Sequence, residues 1–208
     1  QPGEEGFAGA RVMIEDGLFD RFPVESVYAM HNWPGMAPGT VGINSGPMMA
    51  AADRITIEVV GKGGHGAHAY LTVDPVVVSA HLITAIQTIV SRNVRPIDTA
   101  VISICAVQTG DLGAMSVVPG RATLVGTVRT FSAKVQAEVE RRLVELCGSV
   151  AAGFGASATV KFERIYPATI NTPAEALFAG DVAQALVGAR NVERNMEPSM
   201  GAEDFSFM

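Results

Sequence analysis

The residues best suited to chemistry begin the chain, where Glu4 and Glu5 stand in the glycine- and proline-flanked segment QPGEEG. His31 follows after a short apolar run. Adjacent carboxylates at a turn diverge, so one can ligate a metal ion while the other takes a proton from a water that the metal acidifies. The alternative is that the pair only begins a helix, where acidic side chains oppose the helix dipole. Because the pair lies at the first residues, we expect the chain to be incomplete.

Two histidines stand at positions where a ligand could be bound. His31 ends the apolar residues 27–30, for which we predict a short strand with the histidine at its carboxyl edge, where α/β sheets bind ligands. His65 lies in the loop GKGGHGA, whose glycines permit close approach of a ligand or another chain. Each histidine also has a purely structural interpretation, as a strand end for His31 and as a hairpin tip for His65.

Arg129 is a candidate for binding an anion. It lies on a predicted strand that otherwise carries threonine and valine on the same face. A strand arginine that faces a cleft can bind a carboxylate through two parallel hydrogen bonds. The alternative is a surface ion pair with Glu58 or Glu163.

Composition excludes several classes of protein. Of the 208 residues, 48% are hydrophobic and 17% are charged, which is enough apolar material for a sizeable core. The net charge of −6 argues against nucleic acid or an anionic membrane as a partner. No apolar run approaches the roughly 20 residues of a membrane span. Cys105 and Cys147 are isolated in sequence, so we expect a reducing, cytoplasmic setting.

The elements that must position these residues fall into a clear order. Alternation predicts strands around residue 57 and over 99–107, 121–131 and 159–165, with helices starting after Asp74 and after Ser132. The order β-α-β-β-α-β is that of a ferredoxin-like domain, placed at residues 53–166. We predict that this domain is inserted into an α/β domain formed by residues 1–52 and 167–208.

Five segments together resemble the metal-dependent amidohydrolase and exopeptidase family of aminoacylases, hippurate hydrolases and auxin-conjugate hydrolases. They occur in the family's order and span the chain: QPGEEGFAGA, AMHNWPGMAPGTVG, GKGGHGAHAYLTVDP, SVVPGRATLVGTVRTF and MGAEDFSF. The resemblance implies a zinc-peptidase-like α/β catalytic domain, here partial, with an inserted ferredoxin-like lid that forms a homodimer. It also implies two divalent metal ions (Zn, Mn, Co or Ni) and a small N-acyl amino acid as substrate.

The same resemblance implies roles for individual residues. Glu4 becomes the general base, and Glu5 and His31 become metal ligands. His65 becomes the lid histidine that stabilises the oxyanion in a neighbouring subunit's site. Arg129 becomes the residue that binds the substrate carboxylate.

Departures from the family pattern affect the substrate site and the metal site. Ser116 stands where the family has asparagine, and the shorter side chain weakens one expected contact to the substrate carboxylate. The family's other ligands lie in a GHDxH segment before the QPxEEG turn and in a late histidine, so we expect this chain alone to be inactive. Two alternatives remain open. One is a non-catalytic ferredoxin-like dimerisation module, and the other is the same chemistry on dipeptides or succinylated diamino acids.

Overall fold

The computed structural model describes residues 3–4 and 8–208, which form two compact units that both mix helices and strands. One unit comprises residues 1–52 and 165–208, and the other comprises residues 53–164. The α-helices are α1 (Gly9–Glu15), α2 (Leu18–Arg21), α3 (Pro75–Arg92), α4 (Ala133–Gly153) and α5 (Pro173–Val187). The strands are β1 (Val41–Gly42), β2 (Gly46–Met49), β3 (Ala51–Val60), β4 (Gly64–His65), β5 (Ala100–Thr109), β6 (Val117–Val118), β7 (Arg121–Thr130), β8 (Ser157–Tyr166), β9 (Thr169–Asn171) and β10 (Val192–Glu193).

The unit of residues 53–164 is built on a four-stranded sheet with the strand order β5-β7-β3-β8. Strands β5 and β7 pair antiparallel from Ala100 opposite Thr130 to Thr109 opposite Ala122, with a register shift at Cys105. From Ala122 to Thr130 of β7 the residues alternate between buried and half-buried, because one face of the sheet packs on the core. Thr127 and Arg129 therefore lie on the face opposite the core.

Helices α3 and α4 pack against each other and supply the other half of this core. The helix α3 begins as the sequence predicts, since the Asp74 carboxylate accepts a hydrogen bond from the Val76 N–H at 2.8 Å and Pro75 occupies the first turn. The fully buried aliphatic side chains of this core are Ile55, Ile57, Val59, Val78, Leu82, Ile86, Ile89, Leu124, Val128, Val139 and Leu143. Burial of these side chains is the main stabilising contribution to the unit.

Among the described residues, α3 is the one helix that is long enough and apolar enough to cross a membrane. The same properties are found in core helices of globular proteins. Here Val78, Leu82, Ile86 and Ile89 of α3 are buried in the core.

The unit of residues 1–52 and 165–208 contains shorter elements. Strands β1 and β10 pair in parallel, and β2 pairs antiparallel with β9. A small apolar cluster forms around Ala8, Ala52 and Tyr166. The start of α1 is held from the far end of the chain, because the buried Asp204 carboxylate accepts a hydrogen bond from the Ala10 N–H at 2.8 Å.

One local prediction is wrong. The short strand expected to end at His31 is absent, and residues 27–31 have an irregular backbone. A strand needs a hydrogen-bonded neighbour, and none of the described sheets contains these residues. The helix predicted after Ser132 is found as α4, although the Ser132 side chain makes no capping hydrogen bond.

Candidate functional site

The carboxylate pair is described only in part. Glu4 lies half-buried in a turn, and Glu5 lies outside the described residues. The hydroxyl of Tyr166, a buried residue at the end of β8, donates a hydrogen bond to the backbone carbonyl of Glu4. The backbone of Glu4, the proposed general base, is thus hydrogen-bonded to the last residue of the ten-residue strand β8.

His31 is fixed by local backbone rather than by a strand. Its Nδ1 lies 2.6 Å from the carbonyl oxygen of Asn32, and its ring stands edge-on to Trp33 with centroids 5.6 Å apart. Its Nε2 lies 3.6 Å from a carboxylate oxygen of Glu203. Glu203 is itself held by accepting a hydrogen bond from the Phe205 N–H. The sequence contains Glu203 only within the motif MGAEDFSF, and nothing local indicates its contact with a residue so distant in the chain.

The partner of Nδ1 determines the tautomer of His31. A carbonyl oxygen can only accept, so Nδ1 carries the proton and Nε2 presents a lone pair in the neutral ring. In the neutral ring Nε2 and the nearby Glu203 carboxylate oxygen are both lone-pair donors of the kind that metal sites use. A backbone carbonyl behind Nδ1 is also the usual support of a metal-ligating histidine.

This donor chemistry fits a divalent metal at His31, although the described residues do not complete a ligand set. Among residues 3–4 and 8–208, no three His, Cys, Asp or Glu side chains converge closely enough to hold an ion. Imidazole and carboxylate are the ligands that zinc and manganese sites use. His31 would hold the metal through Nε2.

His65 has the opposite tautomer. It lies on β4, which pairs with β6 so that His65 is opposite Val117. The backbone N–H of Ala67 donates to Nδ1 at 3.1 Å, so the lone pair is on Nδ1 and the proton of the neutral ring is on Nε2. The His65 side chain is exposed, so its Nε2–H can donate a hydrogen bond to a ligand. The hydrogen bond from Ala67 determines which ring nitrogen donates.

The glycines before His65 are required by close packing within the chain. A Cβ atom on Gly61 would lie 2.1 Å from the carbonyl oxygen of Val73, and one on Gly63 would lie 2.8 Å from that of Val118. The Gly66 N–H also donates to the carbonyl of Ser116 at 2.7 Å. The structure therefore brings His65 and Ser116 together across the β4–β6 pair, with Ser116 exposed.

Arg129 does not form the surface ion pair considered as its alternative. Glu58 instead accepts hydrogen bonds from Thr123, and Glu163 pairs with Lys161 at 2.7 Å. The Nη1 group of Arg129 donates to the Thr127 hydroxyl and, at 3.2 Å, to the carbonyl of Val128. Among the described residues, no partner is recorded for Nε and Nη2, which form the side of a guanidinium that binds a carboxylate with two hydrogen bonds.

Asp53 is a titratable residue that sequence reasoning does not single out. It begins the sheet unit on β3 with 1% of its surface exposed, and both carboxylate oxygens accept hydrogen bonds from the Gln136 amide, at 2.8 and 2.9 Å. Burial raises the pKa of Asp53 to about 6, partly opposed by the Gln136 hydrogen bond and the positive charges of Arg164 and Arg129. The only feature of the sequence that points to Asp53 is that an acidic residue stands in a strand of alternating apolar residues.

Comparison with known proteins identifies the family. All 208 residues match the family described as Peptidase family M20/M25/M40. The hippurate hydrolase of Campylobacter jejuni is 38% identical over 207 residues, covering 100% of this chain and 54% of that protein. The N-acetyl-L-cysteine deacetylase of Bacillus subtilis is also 38% identical, covering 100% of this chain and 48% of that protein.

A solved structure supports the same relationship. The Bacillus subtilis YXEP protein, a dinuclear metal binding peptidase from the M20 family, superimposes with a TM-score of 0.79 at 31% identity, covering 100% of this chain and 50% of that one. The chain therefore belongs to peptidase family M20/M25/M40, a family of hydrolases that act on amide bonds. It spans about half the length of the curated relatives it matches.

Proposed function

We propose that the protein carrying this chain hydrolyses the amide bond of small N-acyl amino acids, with acetyl or benzoyl as the acyl group, in a metal-dependent reaction. The observation that carries the proposal is the pair of opposite histidine tautomers. A carbonyl behind His31 leaves a lone pair for a metal, and an N–H behind His65 leaves a proton for an oxyanion. The hippurate hydrolase and the deacetylase among its relatives support this substrate class.

Two divalent ions (Zn, Mn, Co or Ni) are the proposed cofactors, held by Glu5 and His31. When bound, such ions acidify a water and polarise the scissile carbonyl. Glu4 accepts the proton of the attacking water and returns it to the leaving amine. His65 donates its Nε2–H to the carbonyl oxygen as negative charge develops there. Arg129 binds the substrate carboxylate, and Ser116 lies beside His65 to contact the same group.

We propose that residues 53–166 are a ferredoxin-like lid inserted into a partial zinc-peptidase-like catalytic domain of residues 1–52 and 167–208. The support is the order β3-α3-β5-β7-α4-β8 in sequence and β5-β7-β3-β8 in the sheet. The cysteines support a reducing, cytoplasmic location, because Cys105 and Cys147 form no disulfide.

Replacement of His65 tests the proposed reaction. In the longest natural form of the protein, loaded with metal, His65→Ala should lower kcat for an N-acyl amino acid by about 10²–10³, the usual effect of removing one oxyanion donor. His68→Ala is the matched control in the same loop, since the two rings lie 5.5 Å apart and only His65 has the proposed role. Equal turnover of His65→Ala and His68→Ala would refute the assignment.

A further inference from the structure

The side chain of Arg129 is oriented by a short chain of hydrogen bonds that starts on a neighbouring strand. The Thr127 hydroxyl donates to the backbone carbonyl of Asp53 at 3.0 Å. A hydroxyl has one proton, so this bond uses its donor and turns its lone pairs elsewhere. The Nη1 group of Arg129 donates to one of those lone pairs.

The carbonyl of Asp53, where this series of hydrogen bonds starts, is held in place by the surrounding structure. Asp53 is buried, and its carboxylate is held by two hydrogen bonds from Gln136 of α4. Its carbonyl belongs to β3, which lies beside β7 inside the four-stranded sheet. The position of the Thr127 oxygen is therefore set by the sheet.

As a consequence, the Nη1 group of Arg129 is engaged within the protein, and the side of the guanidinium formed by Nε and Nη2 is presented to a ligand. Nη1 has two protons, and its recorded acceptors are Thr127 and the carbonyl of Val128. The Nε and Nη2 side keeps the fork of donors that matches a carboxylate. Holding a long, flexible side chain in its binding rotamer before the ligand arrives reduces the entropy lost on binding.

We propose that Thr127 is a positioning residue for the carboxylate of the substrate, acting through Arg129. This inference rests on the proposed function, in which Arg129 binds that carboxylate. Thr127 itself touches neither the substrate nor the reacting atoms. Its effect should therefore appear in KM for substrates with a free carboxylate and not in the chemical step.

Substitution of Thr127 in the longest natural form of the protein tests the proposal. Thr127→Val keeps the shape and removes the hydroxyl, and we expect KM for an N-acyl amino acid to rise about tenfold at unchanged kcat, as for loss of one hydrogen bond to a charged group. The corresponding N-acyl amino acid amide lacks the carboxylate, and its KM should not change. Thr127→Ser restores the hydroxyl and should return KM to within about twofold of the original.

A matched control lies on the same face of the same strand. Thr123 also donates its hydroxyl across to β3, but to the Glu58 carboxylate, so Thr123→Val should leave KM for both substrates unchanged. Thr127→Ala provides a second hydroxyl deletion if the valine variant does not fold. The proposal is overturned if Thr127→Val and Thr127→Ala keep the original KM while Arg129→Ala raises it.

Failure of the proposed function gives a different result. In that case the unaltered protein, loaded with metal, hydrolyses neither the N-acyl amino acid nor its amide. An Arg129→Ala variant that hydrolyses the N-acyl amino acid with the original KM overturns the role of Thr127 while leaving the reaction itself in place.

Discussion

Asp53 is a single residue whose ionisation should be visible in the stability of the whole unit. Its carboxyl is hydrogen-bonded to Gln136 of α4, and the charges of Arg164 of β8, Arg129 of β7 and Glu140 of α4 also act on it. Burial is the largest influence and raises the pKa of Asp53 from 3.8 to about 6. The folded state therefore holds this proton more tightly than the unfolded state does, and stability decreases as pH rises through this interval.

We predict that the free energy of unfolding falls by on the order of 3 kcal/mol from this group between about pH 4 and pH 7, since one pKa unit corresponds to about 1.4 kcal/mol. Asp53→Asn cannot ionise and should remove this decrease. Urea denaturation at pH 4, 5, 6 and 7 measures it. The control is Asp98→Asn, an exposed residue whose pKa is lowered by its hydrogen bond with Arg95 and which should not alter the decrease. Identical pH profiles for Asp53→Asn and the unaltered chain would contradict the prediction.

At the site, the sequence indicates candidate residues but not the contacts that orient them. Residue type and motif indicate His31, His65 and Arg129, but not the hydrogen-bond partners of these side chains. The tautomer of His31 depends on an irregular backbone that brings the Asn32 carbonyl to Nδ1. The Asp53 carboxylate accepts its hydrogen bonds from Gln136, which lies 83 positions away. Contacts of this kind are set by tertiary structure and have no local signal.

Among the elements, those with one buried face were predictable. The strands expected over 99–107 and 121–131 are found at Ala100–Thr109 and Arg121–Thr130, because alternating apolar residues pack on the core. The strand expected before His31 was wrong for the complementary reason. None of the sheets in the described part of the chain contains its residues, and Met30 is 88% exposed. Consecutive apolar residues form a strand only where a neighbouring strand can hydrogen-bond to them.

Among the described elements of ten residues or more, helix α3 and strand β5 carry the fewest charged residues. From Pro75 to Ser91 the helix contains no charged residue, and neither does β5 from Ala100 to Thr109. The two elements pack together, and β5 is an edge strand with Val107 exposed. An uncharged sheet edge favours pairing with another chain. These features support a homodimer formed through residues 53–166.

We predict that sedimentation equilibrium of the chain at micromolar concentration gives about twice its mass of 21.7 kDa. Thr84→Arg places a charge on the exposed face of α3 and should yield the monomer, because a charge buried in an interface without a partner is strongly unfavourable. Val144→Arg on the exposed face of α4 is the control and should leave the dimer intact. A monomeric unaltered chain, or a Thr84→Arg variant that remains dimeric, would argue against this interface.

At the scale of the whole molecule, several motifs in a fixed order identify the family more specifically than any one residue does. Alone, the Glu4–Glu5 pair is a common feature of helix starts. Together with four further segments in the same order, it identified a family that the comparisons confirm over residues 1–208. The contact of His31 with Glu203, by contrast, joins the second and last of these segments in space and was not foreseen.

The measurement that tests the central claim most directly is the rate at which the protein, in its longest natural form, hydrolyses an N-acyl amino acid before and after metal removal. We predict that chelation abolishes hydrolysis and that Mn²⁺, Zn²⁺ or Co²⁺ restores it. With metal bound, Glu4→Gln should retain the metal and lose about 10²–10⁴ in kcat, whereas Glu15→Gln on the exposed surface of α1 should behave as the unaltered protein. Full activity after chelation, or a Glu4→Gln variant with normal kcat, would contradict the account.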